Sequence, residues 1–344
     1  MKTTRHLTVM AAILSFWGCE KRPSDAQNAE NARPTRVVLY TSVDQPFAEE
    51  IIKNFQRATG IEVAPVFDSE AGKTTGLLGR LRREAAAPRC DVWWSSEIFG
   101  TIELARAGVL AAYDSPPAAD IPSQWRDSER RWTAFGARAR VLAFRADGLA
   151  RDKAPTSWDQ LAAPEWAGRL AIANPQFGTT RGHVAAMFAY WGDERATAFL
   201  EALRVNGALI ADGNAQCVRL VDGEAALIGA TDTDDVWMSQ ANGRPIDLVY
   251  PALTEEIRVM WIPCSVGLVS GAPNAGAARR LIDYLASAEV ERALARSDSR
   301  NVPVRQGLRV EMGLEGPAPT PLDFDKVVDH LPRAMAAARD ILLR

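Results

Sequence analysis

The chain has 344 residues, with 40 lysines and arginines against 43 aspartates and glutamates and a net charge of −3. A balance this even gives no reason to expect a nucleic-acid partner. Hydrophobic residues at 47% and charged residues at 24% are the proportions of an ordinary globular protein.

The N-terminus reads as an export signal. Lys2 and Arg5 precede an apolar run, residues 7–17, interrupted only by Thr8 and Ser15. That run is too short to span a bilayer as a stable helix and suits a signal peptide over residues 1–19. It ends at Gly18-Cys19, a junction that resembles the lipobox of bacterial lipoproteins, which implies lipidation of Cys19. Phe16 and Trp17 are bulkier than the usual residues there, so cleavage by ordinary signal peptidase is the alternative. Residues 20–35, rich in Asn, Ala, Glu, Asp, Arg and Pro, form a flexible tether. No later stretch is long and uncharged enough to cross a membrane, so a lipid is the only membrane anchor expected.

The roughly 310 residues that remain exceed what one core usually organises, so two domains are expected. Residues 36–40 form a β-branched strand, and Phe47, Ile51, Ile52 and Phe55 recur at helical spacing up to Thr59-Gly60. Strand 61–67, helix 77–86, strand 91–94 and helix 98–107 follow. A second alternating block runs from about 138 to 251, with strand 169–173, helices 182–192 and 193–206, strand 225–229, helix 236–241 and strand 245–250. Strands 257–262 and 265–269 and a long helix 275–295 complete the pattern. Strand–helix alternation implies parallel sheets, and two such blocks imply two lobes with a cleft between them. Ligands of open α/β sheets bind at strand carboxyl ends. That directs attention to the segments after Tyr40, Trp94, Ala173 and Gly229.

Three cysteines beyond Cys19, namely Cys90, Cys217 and Cys264, show no CxxC spacing; one disulfide or plain burial is open to them. Gly72-Lys-Thr-Thr75 lacks the first glycine of a phosphate loop, because Phe67 stands there. HExxH and GxSxG are missing, and His6, His183 and His330 offer poor support for a histidine-dependent triad. These features argue against an enzyme and against any catalytic cofactor.

Several segments in order carry a family resemblance. Val37-Val-Leu-Tyr-Thr-Ser42, Phe55-Gln-Arg-Ala-Thr-Gly-Ile-Glu-Val63, Asp91-Val-Trp-Trp-Ser-Ser-Glu97 and Ala107-Gly-Val-Leu110 resemble the first lobe of type II periplasmic solute-binding proteins. Ser157-Trp-Asp-Gln-Leu161, Trp166-Ala-Gly-Arg-Leu170 and Gly243-Arg-Pro-Ile-Asp-Leu-Val-Tyr-Pro251 resemble the second. The ferric-ion receptors of bacterial ABC importers are the most similar branch. The resemblance implies an α/β fold of two lobes, each a mainly parallel sheet flanked by helices. Residues 36–137 and 258–312 would form lobe 1; residues 138–257 and 313–344 would form lobe 2 with a C-terminal hinge or helix. It further implies an exported, periplasmic or cell-surface monomer that passes a small ligand to an inner-membrane ABC permease. In the ferric branch two adjacent tyrosines hold iron. Asp234 and Asp235 stand at that place here, and Asp44 and Glu97 align with ligands used by some relatives.

Asp44, Glu97, Asp234 and Asp235 are therefore the candidate metal ligands. Oxygen donors of this kind suit hard cations such as Ca²⁺, Mg²⁺, Mn²⁺ or Fe³⁺. Helix capping by the acids of residues 231–235 is the plain alternative. Ser42, Ser96 and Asp232 join the ligand-binding set. Gly178, Thr179, Thr180 and Arg181 form a hydroxyl-rich helix start suited to an anion, and the resemblance implies a carbonate, a phosphate or an anionic part of the solute there; a plain strand-to-helix connection with Thr caps is the alternative. Capture of a metal cation such as ferric iron is the leading expectation. A small organic or phosphonate-like solute, a ligand sensor for a membrane partner and a metal-dependent hydrolase on the same fold are the alternatives.

Overall fold

The computed structural model describes residues 35–68, Gly72 and 74–344. The expected export signal, Cys19 and the expected tether up to residue 34 lie outside the described residues.

The first half opens with β1 (Arg36–Thr41), α1 (Gln45–Thr59), β2 (Glu62–Phe67), α2 (Thr75–Arg83), β3 (Val92–Ser95), α3 (Phe99–Arg106) and β4 (Leu110–Ala111). A long strand, β5 (Thr133–Arg145), leads to the second half. There follow β6 (Leu170–Ala173), α4 (Gly178–Trp191), α5 (Asp193–Val205), β7 (Leu209–Ala211), α6 (Asn214–Asp222), β8 (Ile228–Asp232), α7 (Thr233–Ala241) and β9 (Ile246–Val249). The chain then returns through β10 (Trp261–Val269), α8 (Ala275–Leu285), α9 (Ala288–Arg296), α10 (Gln306–Glu311) and α11 (Phe324–Leu342).

Strand order is β2-β1-β3-β10-β5-β8-β6-β7, with β4 beside β10 and β9 beside β5. Parallel pairs lie at each end: β1 with β2 and β3, and β6 with β7 and β8. The two halves meet on β5. Its residues 133–139 pair antiparallel with β10, and residues 140–145 pair with β8 and β9. One strand thus serves both sheets of a two-lobed α/β protein.

A β-bulge sits where the β5–β10 register shifts between Pro263 and Cys264. The extra residue on β5 is Gly136, whose φ of +51° favours glycine. Its amide, lost to the ladder, donates 2.9 Å to Glu291 Oε1, which also accepts from Val304. Arg305 completes the group by pairing with Glu291 Oε2 at 2.9 Å. The bulge also accommodates Pro263, which cannot donate to a regular ladder.

Several elements differ from the sequence expectation. Strand β5 was not foreseen, because its alternating Ala-Arg-Ala-Arg stretch reads as half-polar although it is buried almost throughout. The expected strands 257–262 and 265–269 are one strand, since the bulge absorbs the proline that divides them. The long helix expected over 275–295 is two, broken where Ser287 Oγ accepts the Val290 amide at the start of α9. The strand expected at 225–229 runs instead from Ile228 to Asp232, because ion pairs allow the acid at its end to be buried. Among the described residues no helix is long and apolar enough to cross a membrane.

Candidate ligand-binding site

A cleft of about 1080 Å³ opens where β1, β3, β6 and β8 end. Ser42 and Asp44 follow β1, and Ser96 follows β3. Gly178, Thr179 and Thr180 begin α4, and Asp232, Asp234 and Asp235 join β8 to α7; all nine residues line the cleft.

Asp232 is the most heavily bonded of these groups. Its Oδ1 accepts from Arg140 Nη1 at 2.7 Å. Its Oδ2 accepts from Thr179 Oγ1 at 2.6 Å, Asn214 Nδ2 at 2.9 Å and Arg138 Nε at 3.3 Å. Burial alone would raise the Asp232 carboxyl, but Arg140, Arg138 and the Thr179 hydroxyl overcome it and hold it below the usual carboxylate range. Asp232 therefore ties β8 to β5, α4 and α6, and its charge is already matched.

Arg138 and Arg140 are residues that the sequence reading missed. They alternate on β5, so both side chains leave the same face of the strand. Arg138 is buried and lines the cleft. It donates through Nη2 to the Ser96 carbonyl oxygen and lies 3.6 Å from Asp234 Oδ2. Burial opposes its charge, but Asp234, Cys264, Asp232 and Asp44 together raise its pKa. The available signal was two arginines spaced by two within an otherwise small, apolar run.

On the floor, Ser42 Oγ lies 3.2 Å from Ser96 Oγ and accepts the Ser96 amide at 3.0 Å. Asp235 Oδ2 accepts from Thr231 Oγ1 at 3.0 Å. One ligand oxygen from each of Asp232, Asp234 and Asp235 can be chosen so that all lie within 4.8 Å of one another. That spacing can accommodate a cation.

Two expected residues stand elsewhere, and both expectations are corrected here. Glu97 is buried and turns its carboxylate to the Phe99 and Gly100 amides, at 2.5 and 3.0 Å, at the start of α3. Free N–H groups at a helix start attract a carboxylate, and here they take it away from the cleft lining. Arg181 leaves α4 on another face and donates 2.6 Å to Glu103 Oε2. Thr179 does line the cleft, yet its hydroxyl is committed to Asp232. His183 lies behind Arg140, with its Nδ1 accepting from Arg140 Nε at 3.4 Å. Burial and the Arg140 charge push its pKa well down, which leaves it a neutral packing residue against Trp158.

None of the five tyrosines in the sequence lines the cleft. The Tyr40 hydroxyl donates to Glu84 and that of Tyr113 to Asp283, while Tyr190 accepts the Asp323 amide. Phenolate donors are therefore not part of this site. Cys90, Cys217 and Cys264 are buried free thiols.

Two sheets sharing a strand, with a polar cleft at their strand ends, make up a ligand receptor of the periplasmic binding type. The chain belongs to the bacterial extracellular solute-binding protein family, whose model matches residues 36–297. A Fe(3+)-binding periplasmic protein of Serratia marcescens is 27% identical over 170 residues, which is 49% of each chain; the match thus spans about half of that relative. A putative 2-aminoethylphosphonate-binding periplasmic protein of Salmonella typhimurium is 25% identical over 303 residues, 86% of this chain and 84% of that one. Among solved structures, the apo ferric ion-binding protein A of Pasteurella haemolytica superposes with a TM-score of 0.78 at 23% identity, covering 89% of this chain and 98% of that one.

Proposed function

We propose that this protein is the extracytoplasmic capture component of an ABC importer. In this reading it is lipid-anchored through Cys19, takes a small cationic ligand into the cleft and hands it to a permease when the lobes close. The leading ligand is a hard metal cation, ferric iron among them. The carrying observation is the clustering of Asp232, Asp234 and Asp235 oxygens at the head of α7. Asp234 and Asp235 beside Asp232, with Asp44 across the cleft, would supply the ligand's oxygens, exchanging their present contacts for the ligand as it enters. An ion so held meets carboxylates rather than phenolates. Such a site discriminates among hard cations by charge count and geometry more than by donor type.

A second reading has its own support. Arg138 beside the acids, with Arg219 and Arg244 further along the lining, suits a zwitterion whose anionic end meets guanidinium groups. The volume also accommodates an organic molecule.

Native mass spectrometry and calorimetric titration of the full chain, purified without chelator, separate these readings. Citrate-buffered Fe³⁺, Mn²⁺, Ca²⁺ and 2-aminoethylphosphonate are the probes. A metal-bound mass and a Kd weakened at least about tenfold in Asp234→Asn/Asp235→Asn are expected. An organic mass adduct, with no heat from any metal, overturns the metal reading.

A further inference from the structure

Helix α3 follows β3 in one half of the molecule, and α4 follows β6 in the other. They meet through side chains at two neighbouring points. Gly182 of α4 lies so close under the Phe99 ring that a Cβ there would stand 1.9 Å from Cε2. One residue earlier, Arg181 Nη2 donates 2.6 Å to Glu103 Oε2 of α3. Both partners are largely shielded, with side chains 12% and 19% exposed.

The surroundings leave this contact little room to yield. Phe99 is fully buried and meets Phe324 of α11 edge-on, with ring centroids 6.1 Å apart. Phe324 leans in turn on Trp125 at 5.9 Å. Arg106 of α3 pairs with Asp325 and Asp329 of α11, and α11 packs along α4. Glu103 is held from its own half by Arg82 at 3.3 Å. The Phe99 ring is therefore fixed in place, and only a residue without a side chain fits beneath it.

We propose that the Arg181–Glu103 pair draws the two lobes together and that the Phe99–Gly182 contact is the stop against which it draws them, so that the two together set how closely the lobes approach. The stop lies two residues beyond Thr180, so it also positions the cleft-lining start of α4. Arg181 and Gly182 are positioning residues in this assignment and need not touch the ligand. The assignment does not depend on which ligand the cleft takes. Lengthening a 1.9 Å approach to an ordinary 3.4 Å contact requires about 1.5 Å of separation at the stop. A rigid lobe turning on β5 would carry that separation outward as a wider cleft.

Small-angle scattering of the ligand-free full chain tests this, with circular dichroism to confirm folding. Gly182→Ala is expected to shift the profile to a larger radius of gyration. Phe99→Ala/Gly182→Ala, which removes the overlapping ring, is expected to return it toward the native profile. Arg181→Met and Glu103→Gln are expected to shift it in the same direction as Gly182→Ala. If Gly182→Ala fails to fold, these two variants decide the matter. A native-like profile in folded Gly182→Ala, or in both pair variants, overturns the proposal. So does an expanded profile that persists in the Phe99→Ala/Gly182→Ala double variant.

Discussion

Asp232→Ala is expected to lower the unfolding free energy by about 3–5 kcal/mol, the range found when one partner is removed from a buried ion pair. The loss comes less from the bonds deleted than from the charges left behind. Arg140 is fully buried and Arg138 nearly so, and both spend a hydrogen bond on this carboxylate. With alanine in its place, Arg140 loses its only ion-pair partner among the described residues. Thr179 loses its acceptor at the same time, and Asn214 Nδ2 keeps only Thr179 Oγ1. Urea unfolding measures the effect as a fall in midpoint at unchanged m. Asp147→Ala, which removes an exposed partner of Arg145, serves as a control expected to change little. The pH dependence has a definite sign. The folded carboxyl is held below its ordinary value, so its contribution is present above the unfolded pKa and disappears as pH falls through the folded one. A loss under about 1 kcal/mol in Asp232→Ala would show that the arginines find other partners, and Asp232 would no longer be the group that ties β8 to β5.

The parts of the molecule that could be read from sequence are those where local pattern and tertiary role agree. Phe47, Ile51, Ile52 and Phe55 announce α1 because one apolar stripe faces one core, and Gly60 ends it in the left-handed conformation. The segments after β1, β3, β6 and β8 were legible for a topological reason, since parallel strands deliver their loops to one edge. Strand β5 was not legible. Its arginines look like surface residues until the acids that neutralise them are known, and those acids lie more than 90 positions away. Glu97 and Arg181 failed in the opposite way. Each sits next to residues that do line the cleft, but side-chain direction depends on helix phase and on competing partners. The amides of α3 claim Glu97, and Glu103 claims Arg181. Spacing alone could not separate Thr180 from Arg181, although one lines the cleft and the other reaches across to α3.

Glu97 carries the second large expectation, opposite in sign to that of Asp232. Burial pushes its carboxyl up to about 7; Arg181 and the Gly100 and Phe99 amides pull the other way, and Glu103 adds to the rise. Two amide bonds would hold an exposed carboxylate ionised, but here they do not overcome the loss of solvent. Below about pH 4.5 the group is neutral in both the folded and unfolded chains. Between there and about pH 7 the folded chain keeps a proton that the unfolded chain has released. Stability therefore falls as pH rises through this window, by up to about 3 kcal/mol in total, and then levels off. Glu97→Gln retains an acceptor oxygen for the Phe99 and Gly100 amides and removes the titration. Urea midpoints taken from pH 4.5 to pH 8 should coincide with the native chain at the acid end. At the alkaline end the variant should be the more stable, by up to that amount. Parallel curves would mean that Glu97 stays ionised in the fold. An ionised Glu97 would then be held by the Phe99 and Gly100 amides at the start of α3, where a carboxylate is favoured, and would stay turned away from the cleft lining.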